Sequence, residues 1–184
     1  MVTKTLYQTL RHLDNDDEII AKGPFECKDD NAWLGHGYYF WDTFKINAEW
    51  WGSSVRRFTK YVITKGICDY TESKCFDLVG NTEHLNITME VIQHLKQKGY
   101  IMNEKTTFSK VIEFLKQSNA LDNFEAIRAK GESVRKVESV YTFNIPFEDN
   151  KKSYLDLTPP IQICLFKKDS LNFRDYTIDE IKQK

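Results

Sequence analysis

The sequence predicts an α+β domain, and three observations carry that prediction. Runs rich in β-branched and aromatic residues recur at the start, middle and end of the chain. Two amphipathic helical stretches lie between them, and no internal repeat or low-complexity tract interrupts the order. The length of 184 residues fits a single domain over 1–184. The element order, with a glycine–aromatic segment near its first third, predicts two apposed, mainly antiparallel sheets around a cleft, with helices inserted between strands.

Thr3 to Thr9 reads as a first strand without a breaker. Asp14 to Glu18 reads as an acidic turn. Gly35-His36-Gly37 then leads into Tyr38-Tyr39-Phe40-Trp41, a short strand entered through a permissive backbone. Asp42-Thr43 can cap a helix through about Phe58, on which Phe44, Ala48, Trp51 and Val55 keep helical spacing. Tyr61 to Tyr70 is a strand with Gly66 suited to a bulge. Helices follow at Ile87 to Lys98, stopped by Gly99, and at Thr107 to Gln117. Phe124 to Arg128, Ser139 to Pro146 and Ile161 to Phe166 complete the strands, with a polar loop at Glu148 to Pro160.

Composition narrows the function. Apolar residues at 41% suffice for a core, which excludes a disordered chain. Lys and Arg total 26 against 27 Asp and Glu, which argues against a dedicated basic nucleic-acid binder. No apolar run reaches the roughly 20 residues of a membrane span, so no membrane partner is expected. With no secretory leader in the opening residues, a cytoplasmic location is expected. Cys27, Cys68, Cys75 and Cys164 form no metal-ligand spacing and read as reduced thiols, so no metal is expected.

Chemistry concentrates in the aromatic segment. Seven large rings fall within the fourteen positions from Tyr38 to Trp51, more than ordinary packing calls for, so some should line a pocket. The glycine turn at Gly37 lets a ligand approach the backbone. Tyr39 leaves the strand opposite to its neighbours, and Trp50 lies about two turns into the next helix. Two such rings across a gap would sandwich a planar aromatic amide, and Asn47, on the face of Trp50, would hydrogen-bond it. A purely structural aromatic cluster is the competing reading.

Gly35-His36-Gly37-Tyr38-Tyr39-Phe40 and the following helix resemble the ADP-ribosyltransferase superfamily, in particular its poly-ADP-ribose polymerase-like and diphtheria-toxin-like branch. The resemblance implies an NAD cleft, with NAD as substrate. Tyr39 and Trp50 would hold the nicotinamide and Asn47 would take the small polar place. Leu6-Tyr7-Gln8-Thr9 stands where the family's first-strand Tyr-His-Gly-Thr motif belongs, so Gln8 replaces His and the Thr9 backbone would meet the amide. In the late strand Pro160 to Phe166, Gln162 takes the place of the catalytic Glu.

The resemblance implies cleavage of the nicotinamide–ribose bond through an oxocarbenium-like transition state. Gln162 carries no charge to stabilise that cation, so transfer of one ADP-ribose unit is expected rather than polymer synthesis. The acceptor would be a protein or nucleic acid, facing the loop with Lys151, Lys152 and Tyr154. A toxin-like or defence role and a neutralising partner protein belong to the same expectation. The alternatives are a module of this fold that binds NAD or ADP-ribose without turnover, and an unrelated interaction domain.

Overall fold

The computed structural model describes residues 1–30, 32–100, 107–131, 140–149 and 153–183. In chain order these form β1 (Val2–Arg11), α1 (Asp16–Lys22), β2 (Tyr38–Asp42), α2 (Lys45–Trp50), a π-helical turn (Trp51–Val55), β3 (Lys60–Tyr70) and β4 (Cys75–Asp77). They continue as α3 (Thr82–Gln97), α4 (Phe108–Gln117), β5 (Ala126–Lys130), β6 (Asn144–Pro146), β7 (Tyr154–Asp156), β8 (Ile161–Leu165), a 3-10 turn (Ser170–Asn172) and β9 (Arg174–Gln183). The α+β class is as expected.

The sheet differs from the two that the sequence suggested. Seven strands form one hydrogen-bonded sheet in the order β4-β5-β8-β2-β1-β3-β9, and β6 and β7 form a separate hairpin. All neighbours in the large sheet are antiparallel except β4 and β5. The sheet is nevertheless pinched. β1 meets β2 only at Leu6↔Asp42 and Tyr7↔Trp41, whereas it pairs with β3 along its whole length from Val2↔Tyr70 to Arg11↔Tyr61.

Period-two alternation sends the strands' side chains to opposite faces. On one face, Leu34, Ile127 and Cys164 pack under Val111, Ile112 and Leu115 of α4. Beside them, Trp41, Tyr61 and Ile63 pack under Ala48 of α2. On the reverse face, Leu6, Phe40, Cys68, Ile163 and Leu165 form a third cluster closed by Leu171. All four cysteines are free, and only Cys27 is less than fully buried.

Several boundaries moved for identifiable reasons. The acidic stretch is not a turn but opens α1, where Asp16, Asp17 and Glu18 complement the positive helix start. Asp42 caps no helix, because Arg128 and Lys4 bind its carboxylate, and Phe44 takes the cap position. α3 begins five residues before Ile87, where the Asn81 side chain accepts from the Glu83 and His84 amides. Gly66 does mark an irregularity: the β3–β9 register shifts there, and the Phe173 ring lies where a Cβ would stand. The proposed strand Ser139 to Pro146 shrinks to Asn144–Pro146 among the described residues, and Ser139 lies outside them.

A buried ion network ties the sheet together on the reverse face. Arg128 of β5 contacts Asp42 of β2 at 2.7 Å and Asp77 of β4 at 3.0 Å. Lys4 of β1 reaches Asp42 at 3.0 Å, and the Tyr70 hydroxyl donates to Asp77 at 2.6 Å. Burial opposes ionisation of Asp42, but Arg128 and Lys4 outweigh it and hold its pKa below the usual carboxylate value. Asp77 is depressed likewise, with burial overcome by Tyr70, backbone amides and Arg128.

Carboxyls with depressed pKa contribute stability above their unfolded value of about 4 and lose it as pH falls through the folded value. Replacing Arg128 with Met should therefore cost about 3–5 kcal/mol at pH 7, because two buried carboxylates lose their shared cation. The deficit should shrink as pH falls from about 4 through the depressed folded values, below which both carboxyls are neutral. Urea denaturation at several pH values measures both quantities.

Candidate functional site

The pinch between β1 and β2 generates the site. Past Tyr7, β1 follows β3, while β2 follows β8 through Tyr38↔Leu165 to Trp41↔Gln162. The two halves separate there, and a cavity of about 750 Å³ lies against the opening. Gln8 stands at the seam. Its Nε2 donates to the carbonyls of Phe25 at 3.0 Å and Tyr39 at 3.3 Å. Its Oε1 accepts from the Phe25 amide at 3.2 Å and the Tyr176 hydroxyl at 3.3 Å.

The strand floor of the cavity includes Tyr39, Trp41 and Gln162. One wall is Trp50, Trp51, Val55 and Arg56, at the end of α2 and in the π-helical turn. The opposite wall is the segment containing Phe25, Cys27 and Trp33. The π turn closes through the Arg56 amide donating to the Trp51 carbonyl at 2.8 Å. It sits close to the sheet because Gly52 lacks a side chain: a Cβ there would fall 2.7 Å from the Tyr61 ring. Local widening of this kind recurs at functional sites.

Gln8, Thr9, Tyr39, Trp50 and Gln162 all line this cavity, but the structure gives several of them other work. The Tyr39 hydroxyl donates to the Gly35 carbonyl and accepts from the Leu34 amide, each at 2.8 Å. Burial, with the Cys164 thiol alongside, pushes the Tyr39 phenol well above its ordinary pKa. Its ring belongs to the cluster under α4. Trp50 packs instead with Trp41, at 6.1 Å between ring centroids, and with Trp51 at 6.3 Å. Trp41 and Trp51 close the triangle at 5.9 Å. Among the described residues Trp50 meets the rings of two tryptophans, and Tyr39 borders the same space from the other half. The Thr9 hydroxyl donates to the Ala48 carbonyl at 2.7 Å, tying β1 to α2.

Gly37 and Asn47 are not among the residues lining the cavity. Gly37 exchanges backbone hydrogen bonds with Cys27, and a Cβ on it would fall 2.6 Å from both Cys164 Sγ and the Leu165 carbonyl. The need for glycine is internal packing. Asn47 is fully buried and donates from Nδ2 to the Pro159 carbonyl at 3.0 Å, anchoring the approach to β8. Sharing a helix face with Trp50 did not bring it to the cavity, because Pro159 lies on that side.

Gln162 faces the cavity with its amide oriented. Its Oε1 accepts the Trp33 indole N–H at 2.7 Å. Trp33, Trp41, Trp51 and the Phe25–Cys27 stretch were not singled out as site residues by sequence. The signal for Trp33 was a single large ring just after the polar run Lys28 to Asn31. Arg11 and Arg56 supply cations to the lining, and Glu26 and Asp29 supply carboxylates. Lys60, four residues after Arg56, is paired with Asp14. Lys151 and Lys152 of the expected acceptor loop lie outside the described residues. Among the described residues, no group of three or more His, Cys, Asp or Glu could hold a metal ion, and no helix is long and apolar enough to cross a membrane.

No family model, curated protein or solved structure matches the chain.

These placements separate a wall residue from a buttress. Trp50→Ala should leave the protein folded, since Trp50 is only half-buried, and weaken binding of a flat aromatic ligand about tenfold. Asn47→Ala should instead lower stability by about 0.5–1.5 kcal/mol, because a fully buried side chain loses its hydrogen bond to the Pro159 carbonyl, which keeps the Ile161 amide as donor. Thermal unfolding beside ligand titration distinguishes the two outcomes.

Proposed function

We propose that this protein is an NAD-dependent mono-ADP-ribosyltransferase, transferring one ADP-ribose unit to a protein or nucleic-acid acceptor. The observation that carries the reading is convergence. Gln8, Thr9, Tyr39, Trp50 and Gln162, chosen from four separate segments for one ligand, border one cavity. Its volume of about 750 Å³ falls within the usual range for small-molecule sites. Rings suited to nicotinamide and the cations of Arg11 and Arg56, suited to a diphosphate, support the same ligand.

In the transfer the bond from ribose C1′ to the nicotinamide nitrogen breaks and its electron pair leaves with nicotinamide. An acceptor nucleophile bonds to C1′ and gives up a proton. The tryptophan wall would hold the leaving ring, and the amide of Gln162 would orient the sugar by hydrogen bonding. An ADP-ribosyltransferase-like fold whose two sheet halves part at the cavity, a cytoplasmic setting and a toxin-like or defence role with a neutralising partner belong to this proposal.

Two observations favour a second reading, a module that binds NAD or ADP-ribose without turning it over. Gln162 brings no negative charge to the sugar, and Gln8 spends both amide atoms on the seam. NAD at a hundredfold excess over its Kd should stabilise the protein by about 2.7 kcal/mol in thermal unfolding. Radiolabelled NAD with a cell lysate should then label a macromolecule if the transferase reading holds, and release or transfer nothing if the binding reading holds. Gln162→Glu should raise turnover, since a carboxylate would favour the cationic sugar. Absence of NAD stabilisation would sink both readings.

A further inference from the structure

Trp33 is the least expected member of the cavity wall, and its environment fixes it in place. Its ring lies against the Phe108 ring at 6.1 Å and over Gly131, where an added Cβ would stand 3.7 Å away. Both contacts are apolar, so they set the plane of the indole without using its N–H. That N–H is a donor only, and it finds the Gln162 Oε1 at 2.7 Å.

An amide has two chemically different ends, and this contact decides which end is committed. The oxygen of Gln162 belongs to Trp33. Its nitrogen has no protein partner among the described residues and is not among the buried polar atoms left unsatisfied. The residue lines the cavity, so the nitrogen is the end open to it. Flipping the amide would bring its N–H groups against the indole N–H, two donors facing each other.

We infer that Trp33 is a positioning residue that locks Gln162 with its amide nitrogen toward the ligand, so that this point of the cavity recognises an acceptor oxygen. The inference deepens the proposed NAD reading and rests on it for the identity of the probes. It also gives a physical reason to expect slow turnover. The nitrogen end of an amide is the positive end of its dipole, and presenting it to a developing sugar cation opposes ionisation while leaving ground-state binding intact.

The test uses the full chain, with NAD and ADP-ribose as probes in calorimetry. Trp33→Phe keeps an aromatic ring beside Phe108 and removes the donor, together with the outer indole edge that lies over Gly131. It should weaken both probes about three- to tenfold, as should Gln162→Leu, and the double variant should lose no more than the larger single loss. Gln162→Glu, which offers only acceptors, should also bind both probes more weakly.

In the free protein, the Trp33 indole proton should exchange slowly with solvent by NMR and speed up in Gln162→Leu. Additive losses, or a Trp33→Phe variant that binds like wild type, overturn the inference while the NAD reading stands. Gln162→Glu binding as tightly as wild type overturns it also. Wild-type protein that binds neither probe overturns the NAD reading alone. The indole proton then decides the positioning: slow exchange lost in Gln162→Leu upholds it, and fast exchange in wild type overturns it.

Discussion

A side chain doing the work of a backbone ladder holds this fold at its weakest line. β1 and β2 share two residue pairs, and beyond them the Gln8 amide spans the gap to Tyr39, Phe25 and Tyr176. Each atom of that amide carries two partners, so the group is satisfied without water. An amide suits this duty better than a carboxylate, which could not donate to two carbonyls. The seam must stay open to leave room for the cavity, yet it must not slide. Gln8 meets both conditions by joining the halves at one point.

The reverse face secures the same seam with charge. Lys4, Asp42, Arg128 and Asp77 come from β1, β2, β5 and β4, so the network crosses the pinch and extends to the far border of the sheet. Buried ion pairs rarely exceed apolar packing in net stability, but breaking one is costly because the remaining charge has no solvent. The arrangement therefore specifies register more than it adds stability. A slip of β2 by one residue would send Asp42 to the cavity face and strand Arg128.

The parts of the fold that sequence revealed are those whose periodicity survives. β1, β2, β3, α4 and β8 fall close to their expected places because alternation or helical spacing runs unbroken through them. β9 escaped because two register shifts against β3 break its alternation, and β4 because three residues carry no period. In the site, Gln8, Thr9, Tyr39, Trp50 and Gln162 were legible from a motif and strand direction. Asn47 was misassigned because a helix face tells where a side chain points and not what meets it. Trp33 was hidden because its partner lies 129 residues further along the chain.

The same irregularity that concealed β9 protects the molecule in solution. β9 is the border of the large sheet, ten residues long, and a straight strand of that length would template the addition of another chain. Its register shifts bend that border, and it carries charges held in place by ion pairs, Asp179 to Lys45 and Lys65, and Lys182 to Glu49. A chain approaching to extend the sheet would have to bury these charges and match a broken ladder. Resistance to edge-to-edge aggregation is thus written into the strand whose pattern looks least like a strand.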